Sequence, residues 1–134
     1  MFGEHHYRLT STWTGNTGTG TSDYRAYSRD ITVEIAGKPP LLASADKPFR
    51  GDPARWNPED MLLAALSECH LLSYLYVAVT AGVVVTDYRD DASGTMREDG
   101  KGGGQFTEVV LRPHVTVASA DMVDAATAAH QRAN

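Results

Sequence analysis

The chain has 134 residues, 42% of them hydrophobic, with a formal net charge of −5, which is enough for one domain with its own core. The acidic balance, with no basic stripe, argues against nucleic acid or an anionic membrane as partner. A single cysteine excludes an internal disulfide framework and points to a reducing, cytoplasmic compartment, and the opening MFGEHHYRL lacks the charged-then-apolar order of a secretory signal.

Tyr7 to Trp13 alternates and is β-branched, which predicts a strand. Thr14 to Ser22 is a glycine–threonine turn region. Asp23 to Ala36 returns to alternation, with Ile31, Val33 and Ile35 on one face, so an antiparallel hairpin or meander is expected here. Gly37-Lys38-Pro39-Pro40 breaks it, and Leu41 to Trp56 reads as irregular. A long helix follows. Asn57 suits the N-cap, Pro58 the first helical position, and Glu59 and Asp60 the positive end of the helix dipole.

From Met61 to Gly82 that helix is apolar on nearly every side, interrupted by Ser67, Glu68, His70 and Ser73. Such a helix belongs in a core or an interface, and its cap and internal charges make it a poor membrane span. Beyond Gly82, Val83 to Ala92 and Thr95 to Glu98 read as strands. DGKGGG at 99–104 is a turn, and Phe106 to Val117 forms the next strand, with Pro113 marking an edge or a bulge. Asp121 to Ala133 is alanine-rich and helical. Strands, helix, strands, helix make an α+β domain.

Most motif-like features have ordinary readings. Gly15, Gly18 and Gly20 lack the spacing and the following helix of a phosphate loop. The run Gly100–Gly104 contains Lys101 but no GK[ST]. Cys69, His70, His114 and His130, with His5 and His6, do not have metal-ligand spacing, and neighbours 69 and 70 diverge on a helix, so no metal is expected. Cys69 is different. Ala65, Leu66, Leu72 and Ser73 would wall it in, and composition alone favours an inert core thiol. To act as a nucleophile it needs a cation from elsewhere, with Arg50 and Arg55 as donors and Glu59 as the carboxylate to hold one of them.

Taken together, Trp13-Thr14-Gly15, Ser44-Ala45-Asp46, Phe49-Arg50-Gly51-Asp52, Asn57-Pro58-Glu59, Ser67-Glu68-Cys69-His70, Tyr88 and Gly94 resemble the OsmC/Ohr family over nearly the whole chain, in the same order. These are the osmotically inducible and organic hydroperoxide resistance proteins. The resemblance implies an intertwined α+β homodimer that reduces organic hydroperoxides, and hydrogen peroxide less readily, through a cysteine sulfenic acid. A dithiol reductant restores it, without metal or organic cofactor. It implies Cys69 as the peroxidatic residue, Glu59 as the orienting carboxylate and Arg50 as the activating arginine, with Arg25 and Arg29 as alternatives. It also implies a resolving cysteine after the last helix. The sequence reaches Asn134 before such a residue, so a single domain lacking its closing C-terminal segment is expected. Glu59 and Cys69 stand ten positions apart, roughly 15 Å along one helix, so a site using both is expected to draw them from two chains. The competing expectation is a dimeric scaffold that binds a small lipophilic ligand and keeps an inert cysteine.

Overall fold

The computed structural model describes residues 2–134, which form two compact units divided between Met61 and Leu62. The first is built on a three-stranded antiparallel sheet of β1 (Thr10–Trp13), β2 (Ile31–Glu34) and β3 (Leu41–Ala43), in that order. Thr10 faces Glu34 and Trp13 faces Ile31 across the first ladder, and Ile31 faces Ala43 across the second. The expected hairpin is therefore present, but both strands are shorter than expected and β3 lies within the stretch read as irregular.

The shortening of β2 has a local cause. Residues from Asp23 do not join the ladder, because Asp23 closes a turn: its carbonyl accepts from the Ala26 N–H and its carboxylate from the Arg25 N–H. Arg29 then donates to the carbonyl oxygens of Tyr27 and Tyr24, both at 2.8 Å, with its guanidinium over both rings. That clamp takes the segment out of the extended ladder. Beyond β3, Asp46 caps a short 3-10 turn at Lys47–Phe49 and Arg50 follows in a left-handed conformation, φ 63°. A Cβ at Gly51 would sit 1.5 Å from the Ala45 carbonyl oxygen, so only glycine fits there.

Helix α1 (Pro58–Thr80) begins where the sequence places it. The Asn57 side chain accepts from the Asp60 N–H at 2.8 Å and donates to the Asp60 carboxylate at 3.0 Å, a reciprocal cap. It ends at Gly82, φ 71°, where the Val83 N–H returns to the Ala78 carbonyl.

The second unit takes up most of α1 and adds β4 (Val85–Asp90), paired antiparallel with β7 (Pro113–Val117), and β5 (Ser93–Glu98), paired antiparallel with β6 (Gly104–Val110). The expected strand from Phe106 to Val117 is two strands. They part at Leu111 and Arg112, where the Arg112 N–H goes to Asp90 at 2.6 Å and its guanidinium to the Asp91 carbonyl and Ser93. Pro113 opens β7, the strand position that needs no N–H donor. A 3-10 turn (Ala120–Met122) leads into α2 (Val123–Arg132).

Tyr74 is wholly buried at the centre of this unit's core, with Val77, Ala78, Val83, Ala126, Ala129 and Ala133 around it. Alanines on α2 let its backbone come close enough for the Tyr74 hydroxyl to donate to the Ala126 carbonyl at 2.7 Å. The rest of α1 is bare: Leu62, Leu66, Leu72, Leu75, Tyr76 and Val79 are all exposed. By length and composition α1 could cross a bilayer, and 17% of its apolar stretch is buried within this chain. A core helix is therefore not what this chain alone makes of it.

Candidate functional site

The helical repeat sorts α1 into two faces. Ser67, His70, Tyr74, Val77 and Ala78 face inward: Ser67 donates to Asp90 on β4 at 2.6 Å, His70 meets His130 on α2, and the other three fill the core. Leu62, Leu66, Cys69, Leu72 and Tyr76 fall on the opposite side, and all are exposed. Cys69 thus sits mid-helix within an uncovered apolar stripe. This corrects the expectation of a thiol walled in by its own helix neighbours, because a side chain on the outer stripe is covered only by something other than this unit.

Arg50 and Glu59 lie in the first unit and Cys69 in the second, so neither unit alone holds all three residues. The arginines differ sharply. Arg29 is committed to two carbonyls and two tyrosine rings. Arg55 pairs with Asp30 at 3.7 Å and Asp52 at 3.8 Å. Arg25 is exposed in the turn. Arg50 is exposed on its left-handed hinge, its guanidinium 5.8 Å from the Tyr24 ring centre. Glu59 is half-buried and its Oε2 is buried without a hydrogen-bond partner. A carboxylate oxygen in that state is a strong acceptor for an incoming donor.

The remaining motifs resolve into loop chemistry. The Asn16 side chain accepts from the Gly18 and Gly20 N–H groups, both at 3.0 Å, which uses the amides a phosphate would need. The Asp99 carboxylate accepts from the Lys101 and Gly103 N–H groups, and these bonds hold it below the usual carboxylate range. Among the described residues no group of three His, Cys, Asp or Glu side chains converges as a metal site. His114 pairs instead with Asp91 at 3.2 Å.

Two contacts could not be read from the sequence, although it singled out His70, His130 and Tyr88 among the residues that make them. The His70–His130 contact joins residues sixty positions apart. Tyr88 packs against Tyr74, ring centres 5.5 Å apart, with its hydroxyl buried and unpartnered; burial first, then Asp90 and Tyr74, raises its pKa.

Comparison with known proteins agrees with this architecture. The OsmC-like protein family model matches residues 51–134. An OsmC-like protein of unknown function from Vibrio cholerae is 31% identical, covering 97% of this chain and 88% of its own, with a TM-score of 0.83. An organic hydroperoxide resistance protein OsmC from Legionella pneumophila is 18% identical, with coverage of 96% and 85% and a TM-score of 0.65. An OsmC-like protein from Mycoplasma pneumoniae is 13% identical, with coverage of 96% and 87% and a TM-score of 0.62. No curated protein matches the sequence. The mixed α+β fold is the one these structures share, and the chain belongs to the OsmC-like family.

Proposed function

We propose that this chain is a cysteine-based peroxidase that reduces organic hydroperoxides, and hydrogen peroxide less readily, in defence against oxidative stress. The observation that carries the reading is Cys69, an exposed thiol within a bare apolar stripe on α1. A hydroperoxide with an alkyl or aryl tail finds there both a hydrophobic seat and a sulfur nucleophile. The Cys69 thiolate attacks the terminal peroxide oxygen and the O–O bond breaks. The departing alkoxide takes a proton and leaves as the alcohol, and a sulfenic acid remains on Cys69. A dithiol reductant then returns the thiol, releasing water and becoming a disulfide. No metal or organic cofactor enters this cycle. Membership of a family that includes a hydroperoxide resistance protein supports the reading.

Arg50 is the activating cation in this proposal. A guanidinium favours thiolate over thiol, and its planar fork can serve sulfur and carboxylate together. Arg29 is already committed; Arg55 pairs with Asp30 and Asp52, though its Nη1 is, like the Glu59 Oε2, buried without a hydrogen-bond partner. Arg50→Ala should slow hydroperoxide consumption about a hundredfold, measured with cumene hydroperoxide and dithiothreitol, with Arg50→Lys in between. An unchanged rate in Arg50→Ala together with a loss in Arg25→Ala would transfer the role to Arg25.

The working unit is a homodimer acting in the cytoplasm. The exposed stripe of Leu62, Leu66, Leu72 and Tyr76 needs a cover. A lipid cover would place the exposed Glu68 against hydrocarbon, so a second copy is the better occupant. It also supplies Glu59 in trans, roughly 15 Å of helix separating it from Cys69 of the same chain. Sedimentation at micromolar concentration should give a dimer without detergent; a monomer, or a species that partitions into vesicles, would remove the trans site. The exposed stripe equally supports a second reading, a binder of lipophilic ligands with an inert thiol. That reading requires fatty-acyl or aryl ligands to bind while hydroperoxide leaves Cys69 unmodified.

A further inference from the structure

The second unit contains a histidine pair for which the thiol chemistry has no use. Nε2 of His70 on α1 lies 3.1 Å from Nδ1 of His130 on α2. The two ring planes are within 11° of parallel and their centres are 5.4 Å apart. That spacing is the nitrogen–nitrogen distance extended by one ring radius at each end, so the rings lie edge to edge with the two nitrogens aimed at each other. Ligands of one metal ion would aim at a third point. Nitrogens on a common line instead share a single proton, as N–H···N.

The surroundings make this bond matter. His130 is stacked on Tyr74, ring centres 4.2 Å apart, and Tyr74 bonds the Ala126 carbonyl one turn earlier on α2. From β7 the groove beside His130 is lined by Pro113, Val115 and Val117, and from α2 by Val123, Ala126 and Thr127, none of them ionisable. On β4, Tyr88 faces Tyr74, and Asp90 is occupied by Ser67 and the Arg112 N–H. The histidine–carboxylate contacts found among the described residues belong to His6 and His114. The titratable groups in contact with His130 are therefore His70 and Tyr74, the latter with a hydroxyl that burial holds above its ordinary pKa and so keeps protonated at any physiological pH.

We propose that His70 and His130 form a proton-sensitive latch fastening α2 to α1, closed while at least one ring is neutral and open when both are charged. With both neutral, one ring donates and the other accepts. With one proton added, the imidazolium donates to the neutral ring, and the bond is kept. A second proton leaves two N–H donors and two like charges facing each other, and no bond remains. Burial, and then the charge of His70, push His130 below the ordinary histidine value. A depressed folded pKa means that the unfolded chain takes the proton more readily. Docking of α2 is thus at full strength above about pH 6.5 and weakens as pH falls through the lower folded value. The latch stands independently of the peroxidase reading.

Two non-titrating variants test it. His130→Asn places an amide near the position of Nδ1 and His70→Gln near that of Nε2, so each can keep a hydrogen bond but cannot charge. Hydrogen–deuterium exchange of α2, corrected for intrinsic rates, should show protection in the unmodified chain falling about tenfold or more between about pH 7.5 and pH 5. In His130→Asn the fall should be less than about threefold. Equal falls in the two proteins, or no fall in either, would overturn the latch. Should neither variant fold, the unmodified chain decides by proton NMR of its histidines. A His130 titration displaced below the ordinary histidine value supports the latch; a His130 titration at the ordinary value refutes it.

Discussion

Cys69→Ser is expected to abolish hydroperoxide reduction, lowering the rate about a thousandfold or more, while leaving thermal unfolding unchanged. The first part follows from the chemistry: a serine hydroxyl is not an effective nucleophile toward a peroxide, lacking the polarisable lone pair and ready ionisation of the thiol, and it has no sulfenic state to cycle through. The second follows from position. Cys69 lies on the outer stripe of α1, which the second copy covers in the proposed dimer, and it takes no part in the core around Tyr74. Serine is close in size and only slightly worse within a helix. A variant that loses activity and stability together would mean that the thiol acts as packing, and the assignment of Cys69 as nucleophile would then lose its support. Urea unfolding followed by circular dichroism, alongside the peroxide assay, separates the two outcomes.

Tyr74→Ala is the structural counterpart. This wholly buried ring carries the second unit's core, with Tyr88 and His130 against its faces and α2 bonded to its hydroxyl. Removing it should cost about 3–5 kcal/mol, a large share of the 5–15 kcal/mol that holds a typical domain together. Tyr74→Phe keeps the ring and loses only the bond to Ala126, costing about 1 kcal/mol. Denaturant midpoints for the two variants measure the difference. If Tyr74→Ala fell within 1 kcal/mol of Tyr74→Phe, α2 would be held by contacts other than those described.

How far the sequence alone could lead is best seen at particular residues. Asn57-Pro58 and Gly82 bracket α1 almost to the residue, because capping chemistry is local and each end carries its own signal. The strands β4 and β5 were legible as extended runs separated by Gly and Asp, whereas β6 and β7 read as one strand. By contrast β3 has three residues, directly after two prolines, too few for any alternation to register. The departure of Asp23–Asp30 from the ladder depends on Arg29 finding two carbonyls and two rings, a constellation that exists only once the loop has closed. The candidate site divides in the same way. Its residue types, Cys69 on an apolar helix and Glu59 in the first turn, were readable. The exposure of Cys69 was not, since an all-round apolar helix gives no sign of which face its own chain will cover. The His70–His130 bond joins ring atoms from opposite ends of the second unit, and nothing short of tertiary structure reveals it.

The central claim is that Cys69 reduces a hydroperoxide, and one measurement addresses it directly. Reduced, folded protein is given a brief pulse of cumene hydroperoxide in the absence of any other thiol, quenched, and analysed by peptide mass spectrometry and for the alcohol released. The account predicts one added oxygen on the peptide carrying Cys69, trapped as the sulfenic acid by a dimedone-type reagent, and cumyl alcohol formed in equal amount. An unmodified Cys69 with the hydroperoxide unconsumed, in protein that alkylates readily at the same thiol, would contradict it.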